Sequence, residues 1–129
     1  MKPNRIMLVM MILLVLVVGT AVYGHRYLNK SSQLLQQSID KVEDNTKAGR
    51  WEEAKKELAS IQENWSTIQK PWTILLDHME IDNIDTSLSR MEKLLETGNT
   101  PLTLAEAATL RQYVKHIPDK EAFNLKNIF

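Results

Sequence analysis

A chain of 129 residues without cysteine has room for one domain plus an appendage, and it can build neither disulfides, thiolate metal sites nor a cysteine nucleophile. Its formal net charge is zero, but residues 1–30 carry Lys2, Arg5, Arg26 and Lys30 and no acid, whereas residues 31–129 carry all 16 acidic side chains and 12 of the 16 basic ones. The larger part is therefore acidic, near −4, which argues against nucleic acid as a partner and offers no attraction to anionic lipid headgroups.

Ile6 to Val18 is an unbroken apolar run, and Gly19 to Gly24 extend it without a charge. As a helix, residues 6–24 would span about 28 Å, close to the ~30 Å hydrocarbon core of a bilayer. Backbone groups in lipid must pair within their own segment, so the run is expected to be helical. Tyr23 and Tyr27 stand where interfacial aromatic residues belong. These features predict a membrane anchor over residues 1–30, with basic flanks, and a helical extramembrane domain over residues 31–129. The rival reading is a signal peptide cleaved after Ala21, because Gly19-Thr20-Ala21 supplies small residues at a suitable spacing. The uncharged stretch that continues through Val22 and Tyr23 favours the uncleaved anchor; a buried core helix is the third reading. Positive charges flank both ends and nearly balance. Long domains translocate largely regardless of charge, so the expected orientation is single-pass, with a cytoplasmic amino terminus and residues 31–129 outside.

Ser31 to Ala48 reads as a helix able to continue directly from the span, with Leu35, Ile39 and Val42 on one stripe and Gly49 as its carboxyl-terminal cap. Trp51, Ala54, Leu58, Ile61, Trp65 and Ile68 recur at steps of three and four, a heptad-like seam. Pro71 either starts the next helix or kinks one long helix, since Trp72 and Leu75 keep the earlier phase. The third helix is predicted from about Pro71 to Thr97, with Ile81, Ile84, Leu88, Met91 and Leu95 as its stripe and Gly98-Asn99 closing it. The fourth is predicted to start with Thr100 as cap and Pro101 at its first position, to carry Leu104, Ala107, Leu110, Val114 and Ile117 as its stripe, and to end at Pro118. The tail carries Phe123, Leu125, Ile128 and Phe129, and Asn124–Phe129 is expected to dock on the bundle, with a partner or the membrane surface as alternatives. No strand-type alternation stands out. The predicted fold is all-α: a single N-terminal transmembrane helix followed by a small antiparallel bundle of about four helices, each hiding one apolar face against its neighbours.

The densest polar cluster runs from Asp77 to Asp85. On a helix His78, Asp82 and Asp85 lie at i, i+4 and i+7, and an imidazole with two carboxylates suits a divalent metal. The set lacks a second histidine and a fourth ligand, so the plainer reading is a hydrogen-bonded histidine beside a solvated acidic flank. No catalytic residues are assigned. His25 lies at the membrane boundary, His116 at a predicted helix end, and neither accompanies a nucleophile motif. Trp51, Trp65 and Trp72 are read first as core and second as an exposed partner-binding face, because tryptophan often anchors interfaces. Ala48-Gly49-Arg50-Trp51-Glu52-Glu53-Ala54 is similar to the corner of a tetratricopeptide repeat. A second copy 34 residues on would fall at Asp85, where no such corner exists, so a repeat array is rejected.

Taken together, a short N-terminal span, the Trp51–Trp65 helix, Trp72 to Asp85 with His78 and Ile81-Asp82, and a terminal Asn124-Leu125-Lys126-Asn127-Ile128-Phe129 resemble one family. It is the domain of unknown function four-three-six-three, an uncharacterised family of small membrane-anchored proteins, mostly from Gram-positive spore-forming bacteria. The resemblance covers essentially the whole chain. It implies a bacterial cell membrane and brings no activity, ligand or catalytic residue. The expected function is that of a membrane-anchored, non-enzymatic interaction or assembly protein. It would be held to the bilayer by residues 6–24 and would dock on another envelope protein or on itself, without a cofactor. The alternatives are an extracytoplasmic sensor or ligand-binding module, with a divalent metal as one ligand, and a secreted helical protein released by cleavage near Ala21.

Overall fold

A computed structural model describes the backbone from Lys2 to Ile128 and the side chains from Lys2 to Asp119. The described residues form four helices and no strand: α1 (Pro3–Lys47), α2 (Trp51–Leu75), α3 (His78–Thr97) and α4 (Thr100–Ile128). The expected docking of Asn124–Phe129 rests on side chains that lie outside the described ones.

The apolar run and the first bundle helix are one element. α1 holds 45 residues, about 67 Å of continuous helix. Pro3 stands at its start, where a missing N–H costs nothing. Helix α1 packs on α2 and α4, and α3 packs on the same two, so the four stand at the corners of a square with α1 and α3 diagonal. Short turns make every neighbour antiparallel. The first turn closes on Gly49 at φ 73°, with Arg50 N–H donating to the Asn45 carbonyl at 2.8 Å. The α3–α4 turn closes on Gly98 at φ 67°, with Asn99 N–H donating to the Leu94 carbonyl at 3.3 Å. Left-handed backbone at the end of a helix is where glycine is least strained.

The core follows the apolar stripes. Leu35, Ile39 and Val42 of α1, Ala54 to Trp65 of α2, Ile81 to Leu95 of α3 and Ala107 to Ile117 of α4 supply its buried positions. Leu28 and Trp72 extend it toward the end where α1 enters. Trp65 and Trp72 meet edge to face, with ring centroids 5.2 Å apart, a favoured aromatic arrangement.

Three predicted boundaries need correction. Helix α3 starts at His78, not Pro71. Pro71 lies inside α2, which continues its phase to Leu75 because Trp72 is fully buried on the same face. The residue that caps α3 is Asp77, whose side chain accepts from Met79 N–H at 3.3 Å. At the start of α4 the capping side chain is that of Asn99, not Thr100: its Oδ1 accepts from Leu102 N–H at 3.0 Å. Pro118 does not end α4, which runs on to Ile128. A proline in a helix withholds the N–H that would bond the carbonyl four residues back, here that of Val114. That carbonyl is served instead by Ser32 of α1, whose buried hydroxyl donates to it at 2.8 Å. The corresponding carbonyl freed by Pro71 belongs to Thr67, an exposed residue.

Polar contacts tie the seams. Arg111 of α4 reaches both Asp40 and Glu43 of α1, and Ser87 of α3 donates to Glu106 of α4 at 2.8 Å. Two side chains of α2 donate to Asp85 of α3: the Trp65 indole N–H at 2.7 Å and the Gln69 amide at 3.2 Å.

Candidate functional site

Among the described residues, Ile39, Ile61, Trp65, Ile84 and Leu110 close on one another in the middle of the core. What the molecule can do must be sought on its surface and at its two ends.

The residues singled out for a metal do not come together. His78 is exposed in the first turn of α3, Asp82 is exposed one turn on, and Asp85 is turned toward α2, its two oxygens taken by Trp65 and Gln69. Among the described residues no three histidine, aspartate or glutamate side chains gather as a metal would require. The i, i+4, i+7 spacing placed the three near one face, but α2 draws the third into a structural role.

The tryptophans divide as well. Trp65 and Trp72 are buried and cannot serve as a partner face in the folded bundle. Trp51 is half-buried at the distal end, the end farther from the apolar run, where its ring lies beside Gly98. His116 lies within α4 and is exposed; His25 lies within α1 and is half-buried. Among the described residues, the buried nitrogens His25 Nδ1 and Trp72 Nε1 have no hydrogen-bond partner, and both belong to the end where α1 enters.

That proximal end is the feature periodicity did not reveal. A Cβ on Gly24 would stand 3.6 Å from Leu75 Cδ2, so the last turn of the apolar run touches the last turn of α2. Between them lies an open groove of about 300 Å³, lined by Thr20, Tyr23, Gly24 and Tyr27 from α1 and by Pro71, Ile74 and Leu75 from α2. Ile74 on its rim is 86% exposed, and Met79, just past the turn in the chain, is 68% exposed. Below this level α1 stands alone, and every residue from Ile6 to Val18 is 38–69% exposed. The helix is long and apolar enough to cross a membrane, and none of its most apolar stretch is buried in the bundle. A second groove, about 400 Å³, lies farther along the α1–α2 seam and is of mixed character, with Leu34 and Ile68 beside Lys41 and Asn64.

Comparison with known proteins identifies the chain by family and by nothing finer. The family model described as Domain of unknown function (DUF4363) matches residues 22–128, which begins where the apolar run gives way to the bundle. No curated protein and no solved structure matches the chain.

Proposed function

The chain belongs to the DUF4363 family, and we propose that it works as a membrane-anchored, non-enzymatic assembly protein whose bundle docks on another envelope protein or on a second copy of itself. The supporting observation is α1, a single helix that is bare and apolar in its first half and the corner of a bundle in its second. In water the bare half would be an apolar surface far larger than the few hundred Å² a soluble monomer exposes. In a bilayer the ten leucine, isoleucine and valine residues between Ile6 and Val18 would contribute roughly −3 to −6 kcal/mol. A core helix would be covered, and this one is not.

The short basic amino terminus stays on the cytoplasmic side and the bundle lies outside. The proposed role is non-catalytic, and no catalytic residue is assigned to it. With Trp65 and Trp72 inside, the docking face falls to exposed Leu102 and half-buried Trp51 at the distal end and to Leu34 beside the α1–α2 groove.

The test is cross-linking of the tagged full chain in its native membranes, followed by mild-detergent purification and mass spectrometry. The expected product is one dominant membrane protein, or a dimer of the chain, joined to a species that retains Met1–Tyr23. Recovery of the chain alone would reject docking. A mature chain beginning at Val22 would replace the anchored protein by a secreted one.

A further inference from the structure

We propose that the α2–α3 turn is a second membrane contact, in which Ile74, Leu75 and Met79 enter the edge of the lipid layer that α1 leaves. The inference rests on the membrane reading of α1 and adds where the bundle sits: down on the bilayer rather than held above it.

Depth carries the argument. Residues 6–24 cover about 28 Å of helix, so Gly24 lies at the edge of the hydrocarbon. Leu75 packs on the Gly24 position, which puts the end of α2 at that same depth. The side chains at the turn are of the kind this depth accepts. Ile74 is 86% exposed and Met79 68%, with Leu75 and Tyr23 also exposed. The turn also carries Asp77 and His78, both exposed, and the Asp77 carboxylate caps α3 by accepting from the Met79 N–H. About 3–9 Å of helix farther from the hydrocarbon, Arg26 and Lys30 on α1 and Lys70 on α2 are all exposed, in the layer of the lipid headgroups. Long cationic side chains reach that layer while their stems stay apolar. The groove between Tyr23 and Ile74 continues the apolar surface of α1 upward, so a lipid chain lying along the span passes into it.

The chain has no cysteine, so single-cysteine variants report without background. Ile74→Cys, Val15→Cys and Ala48→Cys, all at exposed positions, are labelled with an environment-sensitive fluorophore. Each full chain is reconstituted in phosphatidylcholine vesicles containing lipids brominated at defined depths on the acyl chain. The expected result is a blue-shifted label at position 74, quenched by bromine near the headgroup end. The label at 15 is quenched most by bromine near the bilayer centre, and the label at 48 is not quenched. A label at 74 that emits like that at 48, while 15 is quenched, leaves the anchor standing and overturns the second contact. A label at 74 that is blue-shifted yet untouched by bromine means a second copy covers the turn, and also overturns it. No quenching at any of the three positions removes the membrane reading itself.

Discussion

Replacing Ser32 by alanine removes a single hydroxyl, yet the structure makes that hydroxyl responsible for a backbone group elsewhere. Pro118 has no N–H for the Val114 carbonyl, and Ser32 supplies the hydrogen bond at 2.8 Å from the neighbouring helix. Ser32 and Val114 are each 1% exposed, so water cannot take over without rearrangement. An unpaired buried carbonyl costs about 1–3 kcal/mol. A bundle of this size loses roughly 4–8 °C of Tm per kcal/mol, so Ser32→Ala should melt about 8–16 °C lower for a cost near the middle of that range. The decisive measurement is a double-mutant cycle with Pro118→Ala, which restores the missing N–H. In that background Ser32→Ala should cost only about 0.5 kcal/mol, a coupling of about 1.5 kcal/mol between residues on different helices. Thermal unfolding of the full chain in mild detergent, followed by circular dichroism, reads all four proteins. Equal costs of Ser32→Ala in both backgrounds would refute the reasoning, because the hydroxyl would then not be serving the carbonyl that proline frees.

Asp85→Ala should destabilise the metal-free protein by about 2 kcal/mol by stranding the Trp65 indole N–H, and Asp85→Asn, which keeps an acceptor, by less than half of that. Melting both variants in the presence of a chelator checks this, and equal losses would count against the hydrogen bond. Ile39→Ala removes a fully buried side chain between tightly packed neighbours and should cost about 2–5 kcal/mol in urea unfolding. Arg111→Met should loosen α4 from α1 by about 1 kcal/mol, and the difference from wild type should shrink as salt is raised, because both acidic partners reach solvent. Gly98→Ala has space for its methyl group, 4.0 Å from Trp51, so its cost should be the backbone strain alone, about 1–2 kcal/mol by melting.

The four helices could be read from the sequence because each stripe repeats at three and four residues and each must be covered. All five stripe residues from Ile81 to Leu95 are buried as the spacing requires. Where prolines interrupt, local rules misled. Pro71 and Pro118 are poor helix residues, and the carbonyl that Pro118 leaves free is served by a serine 86 positions before that proline in the chain. No reading confined to neighbours along the sequence can find that partner. The Asp85 contacts failed to show for the same reason. A carboxylate on a helix looks like surface or metal ligand until the facing helix brings a tryptophan N–H to it. The exposed corner at Ile74 and Met79 was hidden differently: Leu75 shares the apolar phase of α2, and only the antiparallel return to the level of Gly24 distinguishes residues that end a core from residues left outside it.

The uninterrupted course of α1 has a mechanical consequence. From Gly24 to Lys47 the helix runs on inside the bundle for about 35 Å, with no joint at which the inner and outer parts could turn independently. In a bilayer the bundle is then the long arm of a lever whose short arm is the span. Helices adjust their tilt to the thickness of the surrounding hydrocarbon, and a change of about 10° would carry the distal turn sideways by roughly 6 Å. Energy-transfer distances from a label at Ala48 to dye-labelled lipid headgroups would follow bilayer thickness, and a partner clasped at that distal end would feel the state of the membrane through a single piece of backbone.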